Sequence, residues 1–477
     1  MDGSRDSLVI SGGLVVTATD EFLADVRIAG GVIAEITPPG RLRGAGDVID
    51  AGGCMVLPGG IDTHTHFENP TLMFTTASID DFHSGTVAAA YGGTTTIVDF
   101  VKTEPDSTIT ACFERRREVA ASKVVVDFAL HPVVPIAAAE TGALAELADL
   151  AVRHGAMTWK FFMAYPGSLM VDDRTLIEGM RLAAQVGALP ILHAENGHIV
   201  HDATHRLIEA GLTAEHHHHD AHPHVAEAEA VYRAISIGEY TGSPVFIVHV
   251  SSARAAEEIA RAKRKGQPVY AETCPQYLLT SYEEYEGAGF PAAAYICSPP
   301  IREQANQAAL WRALELGELD TIATDHAPFS MCEEACFPPQ KSNGKDYFPH
   351  IPNGVPGVEE RLMLMWEAGV RTGRLTRQQF VDLTATRPAK LFGLHPRKGS
   401  VAVGADADIV VWDPNAPRTL HAADLHTQAG YTLYEGMTVS ATPRWVLSRG
   451  EVLVGPGHTA FPAGRGSYLH RTSAGRP

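Results

Sequence analysis

The chain has 477 residues, 45% hydrophobic and 20% charged, an ordinary globular balance that can bury a large core. Its formal net charge of -18 leaves no basic footprint for nucleic acid, and no polybasic segment is present to hold it on an anionic membrane. The N-terminus, MDGSRDSLVISGGLVV, lacks a basic region followed by a long apolar core, and no apolar run is long enough to span a bilayer, so a cytoplasmic protein is expected.

Residues 8–56 read as short strands with glycine-rich turns (LVISGGLVV, DVRIAGGVIAEI, GDVIDAGG). Apolar runs rich in β-branched residues then recur at 54–64, 94–100, 124–131, 157–163, 189–195, 244–250, 268–273 and 319–326. Helical stretches such as TGALAELADLAVRHGA and SARAAEEIARAKRKGQ separate them. Eight strand–helix units in one series predict a parallel sheet rolled into a (β/α)8 barrel. Residues 398–455 (KGSVAVGADADIVVWD, WVLSRGEVLV) read like the first segment, so the two ends are expected to pair. The predicted class is α/β: a TIM-like barrel over 58–397 and a small β-sandwich built from 1–57 and 398–455. The tail, 456–477, is rich in Gly, Pro, Ser and Arg and is expected to be loose or docked on a neighbouring subunit.

Polar residues sit where the runs lead into loops: His64, His131, Lys160, His193, His249 and Asp325. Any one alone reads as a strand-end group facing solvent. Together, at the strand ends where such barrels carry their active sites, they read as one pocket. His64 and His66 in IDTHTHF are two residues apart, so on a strand both imidazoles face the same side. With His193, His249 and Asp325 they exceed what one zinc takes, which points to two divalent ions, zinc first, with manganese or cobalt also compatible. Two adjacent cations need a bridging anion, and apart from Asp325 no strand end supplies a second carboxylate. Lys160 stands inside the apolar stretch MTWKFFMAY. Burial lowers a lysine's pKa, and the neutral amine can take up carbon dioxide as a bridging carbamate. Alternatively, Lys160 snorkels to solvent or pairs with a carboxylate.

PGGIDTHTHF, GGTTTIVDF, WKFFMAY, HAENG, IVHVSS, AETCPQYL, CSPPIR, ATDHAPF and IPNGVPGVEER resemble the dihydropyrimidinase/D-hydantoinase branch of the cyclic-amidohydrolase superfamily, over about residues 8 to 455. The resemblance implies a metal-dependent barrel with a β-sandwich. It implies that His64, His66 and Asp325 hold the more buried metal, that His193 and His249 hold the second, and that carboxylated Lys160 bridges them. Tyr165 would polarise the substrate carbonyl, and Ser298 and Asn353 would bind the cyclic amide edge, largely through backbone groups. The implied reaction opens 5,6-dihydropyrimidines or 5-monosubstituted hydantoins to N-carbamoyl amino acids, as in pyrimidine catabolism. In it, a hydroxide shared between the metals attacks the ring carbonyl, Tyr165 steadies the oxyanion, and Asp325 carries the proton to the leaving nitrogen. A homotetramer is also implied. On the residues alone, Tyr165 reads as a rim aromatic, and Ser298 and Asn353 as turn residues in CSPP and PNG. Met73, Phe74, Phe162 and Leu169 are candidates to line a pocket for the exocyclic substituent, or else are plain core.

The stretch AEHHHHDAHPH (214–224) reads as a surface loop that could hold a stray transition metal. Ala221-His222-Pro223 stands where the family often has Ser-Arg-Pro. Cys54, Cys112, Cys274, Cys297, Cys332 and Cys336 are scattered and read as free thiols in a reducing compartment; Cys332 and Cys336 lack the second ligand pair of a zinc site. Two other functions compete. A dihydroorotase or allantoinase is one, but the dihydroorotase arginine position is Glu68 here, which would repel a carboxylate. A non-catalytic scaffold of the same fold is the other, but such proteins lack much of the metal constellation that is intact here.

Overall fold

The computed structural model describes residues 7–42, 46–71, 76–104, 106–332, 340–458 and 461–474. The two ends of the chain meet in one eight-stranded sheet. Ser7–Val16, Glu21–Ala29, Val32–Thr37, Asp47–Asp50 and Met55–Pro58 come from the first segment; Ile409–Asp413, Thr442–Ser448 and Glu451–Val454 come from the last. The segments join where Ile409–Asp413 runs antiparallel to Met55–Pro58, with Val411 opposite Val56. The hairpin from Glu21–Ala29 to Val32–Thr37 turns at Gly30 and Gly31, both at positive φ, as a two-residue turn requires. Ile10, Val26, Ile33, Val56, Ile409 and Leu447 form the core of this part.

The central residues form parallel strands. Gly60–Thr65, Thr94–Val101 and Asp127–Pro132 make a three-stranded sheet, and Thr158–Phe162, Leu189–His193, Val245–Ile247, Val269–Thr273 and Thr321–Ile322 a five-stranded one. Parallel bridges Val133–Lys160 and Thr65–His326 link the two sheets at both edges. Nearly every residue of these strands is buried, as parallel strands covered by helices must be. Helices Ile109–Lys123, Ala143–His154, Asp173–Val186, His224–Thr241 and Ala253–Arg264 alternate with them. Ser252 starts the last of these by accepting the Ala255 N–H on its side chain.

Three expectations need correcting. The run 54–64 is two strands in two sheets, because the chain crosses over at Gly59. There the Gly59 N–H donates to the Asp408 carbonyl (2.9 Å), and a Cβ would overlap the Thr95 side chain. The tail is not loose over 461–474: it is hydrogen-bonded to its own chain. The Phe128 N–H donates to the Ser467 carbonyl (3.0 Å), the Leu469 N–H donates to the Phe128 carbonyl (2.7 Å), and Arg471 is wholly buried, donating to the carbonyls of Gly155 and Leu130 and to Thr158 Oγ1. Cys332 is disulfide-bonded rather than a free thiol, whereas Cys54, Cys112, Cys274 and Cys297 are free and buried. Cys336 lies outside the described residues. Among the described residues, no helix is long and apolar enough to cross a membrane.

Candidate active site

The ends of the parallel strands bring His64, His66, Lys160, His193, His249 and Asp325 to one cavity of about 400 Å³. His131 does not join them. Its ring is buried with Nδ1 2.5 Å from Thr158 Oγ1 and Nε2 3.1 Å from the Thr63 carbonyl, so both nitrogens are occupied away from the cavity.

His64 Nε2 and His66 Nε2 lie 3.2 and 3.1 Å from the same oxygen of Asp325. Ligand atoms of these three residues all fall within 4.8 Å of one another. Beside them, His193 Nδ1 faces His249 Nε2 at 2.9 Å. Burial holds His64, His66 and His249 well below the ordinary imidazole range, so these rings are neutral. His249 Nδ1 is buried without a hydrogen-bond partner. Neutral imidazoles converging with one carboxylate are a donor set that fits divalent transition ions.

Lys160 is 1% exposed, so it does not snorkel. Its Nζ sits 5.0 Å from the Phe100 ring centre and 5.1 Å from that of Phe162, and no carboxylate among the described residues lies within ion-pairing distance. Burial lowers its pKa, against the pull of Asp325 and Glu272.

Two carboxylates that sequence reasoning missed stand behind the histidines. Glu272 Oε1 is 2.7 Å from His64 Nδ1, and its other oxygen accepts from Thr63 Oγ1 (3.1 Å). Burial raises the Glu272 pKa. Glu195 lies 2.9 Å from His193 Nε2 and 2.8 Å from His222 Nδ1. Burial alone would raise its carboxyl, but His222 and His193 hold it well below the ordinary range. The ionised Glu195 accepts a hydrogen bond from His193 Nε2–H, which leaves the lone pair on Nδ1, toward His249. Glu195 follows His193 by two residues, the same-side spacing that marked His64 and His66.

The Tyr165 hydroxyl lies beside the Ser298 and Asn353 side chains, and Asn353 Nδ2 donates to Ser298 Oγ at 2.8 Å. Burial raises the Tyr165 phenol, which keeps it a proton donor. All three line the cavity, as do Phe162 and Leu169. Met73 and Phe74 lie outside the described residues. Tyr165, His249 and Asp325 stand at φ of 66°, 42° and 53°, conformations that non-glycine residues hold only when their surroundings impose them.

The histidine-rich stretch is not a surface loop throughout. His218 and His222 are buried and line the cavity, because His218 Nε2 reaches the Cys297 carbonyl (2.9 Å) and His222 reaches Glu195. Glu68, expected to face a substrate, instead takes Lys123 Nζ at 2.5 Å and does not line the cavity. Asn69, 3.0 Å from His66 Nδ1, and Lys102 line it in that region.

Residues 55–453 match the amidohydrolase family. The chain is 42% identical over 467 residues to a D-hydantoinase of Geobacillus stearothermophilus, covering 98% of this chain and 97% of that one. It is 38% identical over 473 residues to a dihydropyrimidinase of Rattus norvegicus, covering 98% and 89% respectively. The crystal structure of a dihydropyrimidinase from Brevibacillus agri NCHU1002 superposes with a TM-score of 0.94 at 41% identity, covering 99% of this chain and all of that one. The chain therefore belongs to the amidohydrolase family, in its D-hydantoinase and dihydropyrimidinase branch.

Proposed function

We propose that the chain is a binuclear-metal hydrolase that opens cyclic amides, 5,6-dihydropyrimidines or 5-monosubstituted hydantoins, to N-carbamoyl amino acids. The reading places the site on a (β/α)8 barrel (58–397) flanked by a β-sandwich from 1–57 and 398–455. One observation carries it: four histidines and Asp325 converge around a buried lysine that has no ion-pair partner among the described residues. His64, His66 and Asp325 would hold one ion, His193 and His249 the other, and Lys160, as its carbamate, would bridge them. When bound, two zinc ions supply Lewis acidity and lower the pKa of water.

The chain's own groups do the rest. Asp325 is the one carboxylate lining the cavity among the described residues, so it takes the proton of the attacking water and returns it to the leaving ring nitrogen. The Tyr165 hydroxyl, which lines the cavity beside Ser298 and Asn353, donates to the carbonyl oxygen as it gains charge. Phe162 and Leu169 cover the ring's substituent and exclude water.

Lys102 supports a second reading, in which the ring carries an acidic substituent, since it puts a cation in the cavity wall. The test compares hydrolysis of dihydrouracil, a racemic 5-aryl hydantoin and a hydantoin with a carboxylate substituent, using metal-loaded protein with bicarbonate. Opening of either neutral ring supports the main reading, and preference for the carboxylate supports the second. If none opens in metal-replete protein, both readings fail.

A further inference from the structure

A second cluster of ligand atoms lies apart from the cavity. One atom each of His219, His224 and Glu303 falls within 4.8 Å of the others, and none of the three residues lines the cavity. They come from separate elements: His219 from the short helix His217–Ala221, His224 from the start of His224–Thr241, and Glu303 from the loop before 304–306.

His219 Nδ1 is 3.3 Å from Asp220 Oδ1, which places the ring proton there and the lone pair on Nε2. That Nε2 is buried and has no hydrogen-bond partner; Glu303 Oε1 faces it at 3.5 Å. Burial also lowers the His219 pKa, so the ring stays neutral. A buried lone pair facing a carboxylate with no proton between them is unfavourable, and a cation between them would relieve it. Glu303 Oε2 is 2.9 Å from His224 Nε2 and accepts from Asn306 Nδ2 (3.1 Å), which fixes the carboxylate. The Tyr282 ring, stacked on His219 at 4.0 Å, fixes the imidazole plane.

We propose that His219, His224 and Glu303 form a peripheral site for one divalent transition ion, zinc by ligand type, with water completing the coordination. The chain between the two histidines carries His222, whose ring holds Glu195 and whose carbonyl accepts from Arg302 Nη1, next to Glu303. An ion there would clamp both ends of the segment that orients Glu195.

The test loads full-length wild type, His219→Gln and Glu303→Gln with Zn²⁺ side by side and measures metal per chain after gel filtration. Wild type should hold one more zinc per chain than either variant, and Zn²⁺ should raise Tm in wild type more than in Glu303→Gln. Equal zinc content and equal Tm shifts in all three would overturn the proposal, and would assign any extra zinc to other surface histidines. If His219→Gln fails to fold, Glu303→Gln, whose amide can still accept from Asn306, decides. The difference between proteins does not depend on how many ions the catalytic cluster holds, so failure here is separable from failure of the proposed activity.

Discussion

Glu195 is a buried carboxylate between two imidazoles, and it shows how much of the site depends on residues that touch no reacting atom. Burial works against its charge; His222, then His193, outweigh burial and hold its pKa well below the ordinary 4.5. A carboxyl lowered in this way contributes stability that is present above 4.5 and lost as pH falls through its folded value. His222→Ala leaves the carboxylate buried with half its pairing. We expect a loss of about 3 kcal/mol at neutral pH, and a gap to wild type that closes in acid. Urea unfolding in neutral and acid buffer reads both. Through His193, the same variant should weaken metal affinity about 10- to 100-fold, whereas His222→Arg, whose guanidinium can still donate to Glu195, should keep most of it. A His222→Ala protein with wild-type stability and metal content would show that Glu195 has no need of this partner.

At the scale of elements, the strand ends hold their side chains in turns that strands do not use. Tyr165 sits at φ 66°, and its carbonyl accepts the N–H groups of Ser168, Leu169 and Met170, each at 3.1 Å. Those backbone bonds, not the hydroxyl, shape the turn. Tyr165→Phe should therefore fold normally and lose only the donor. The expected cost is about 10²-fold in kcat with KM little changed. A raised KM at unchanged kcat would instead make the hydroxyl a ground-state contact. The strands and the cavity histidines were legible because their signals are local: β-branched runs, and a two-residue spacing at a strand end. What stayed hidden depends on distant partners. Glu272 reads the same whether it faces solvent or His64, which lies 208 residues away. His131 occupies a strand end like the cavity histidines, but Thr158 and Thr63 take both its nitrogens and it does not line the cavity. Four consecutive histidines suggest a surface, yet the Cys297 carbonyl, 79 residues on, draws His218 inward.

Across the whole molecule, the parallel strands and the antiparallel sheet are tied together by one buried ammonium. Lys398 Nζ lies 2.7 Å from Asp127, 2.7 Å from Asp408 and 2.9 Å from Asp406. Asp127 opens the parallel strand Asp127–Pro132, while Asp406 and Asp408 lead into Ile409–Asp413 of the other sheet. Burial opposes the Lys398 charge, but Asp408, Asp127 and Asp406 outweigh it and raise the pKa above the ordinary 10.5. A lysine raised in this way contributes stability that is fully present below 10.5 and lost as pH climbs through its folded value. Lys398→Met removes the cation and leaves Asp127 and Asp408 buried side by side, with Arg449 Nε at 3.3 Å as the remaining cation near Asp127. The expected loss is about 3–5 kcal/mol at neutral pH, constant up to the ordinary lysine range and smaller above it. Adding Asp408→Asn should recover part of that loss, because one stranded charge goes with it. Urea unfolding of the single and double variants measures both. If Lys398→Met unfolds at the wild-type midpoint, the apolar contacts between the two parts hold them together without the ammonium. If only the double variant unfolds there, the cost in the single variant is the stranded carboxylates rather than the loss of a bond.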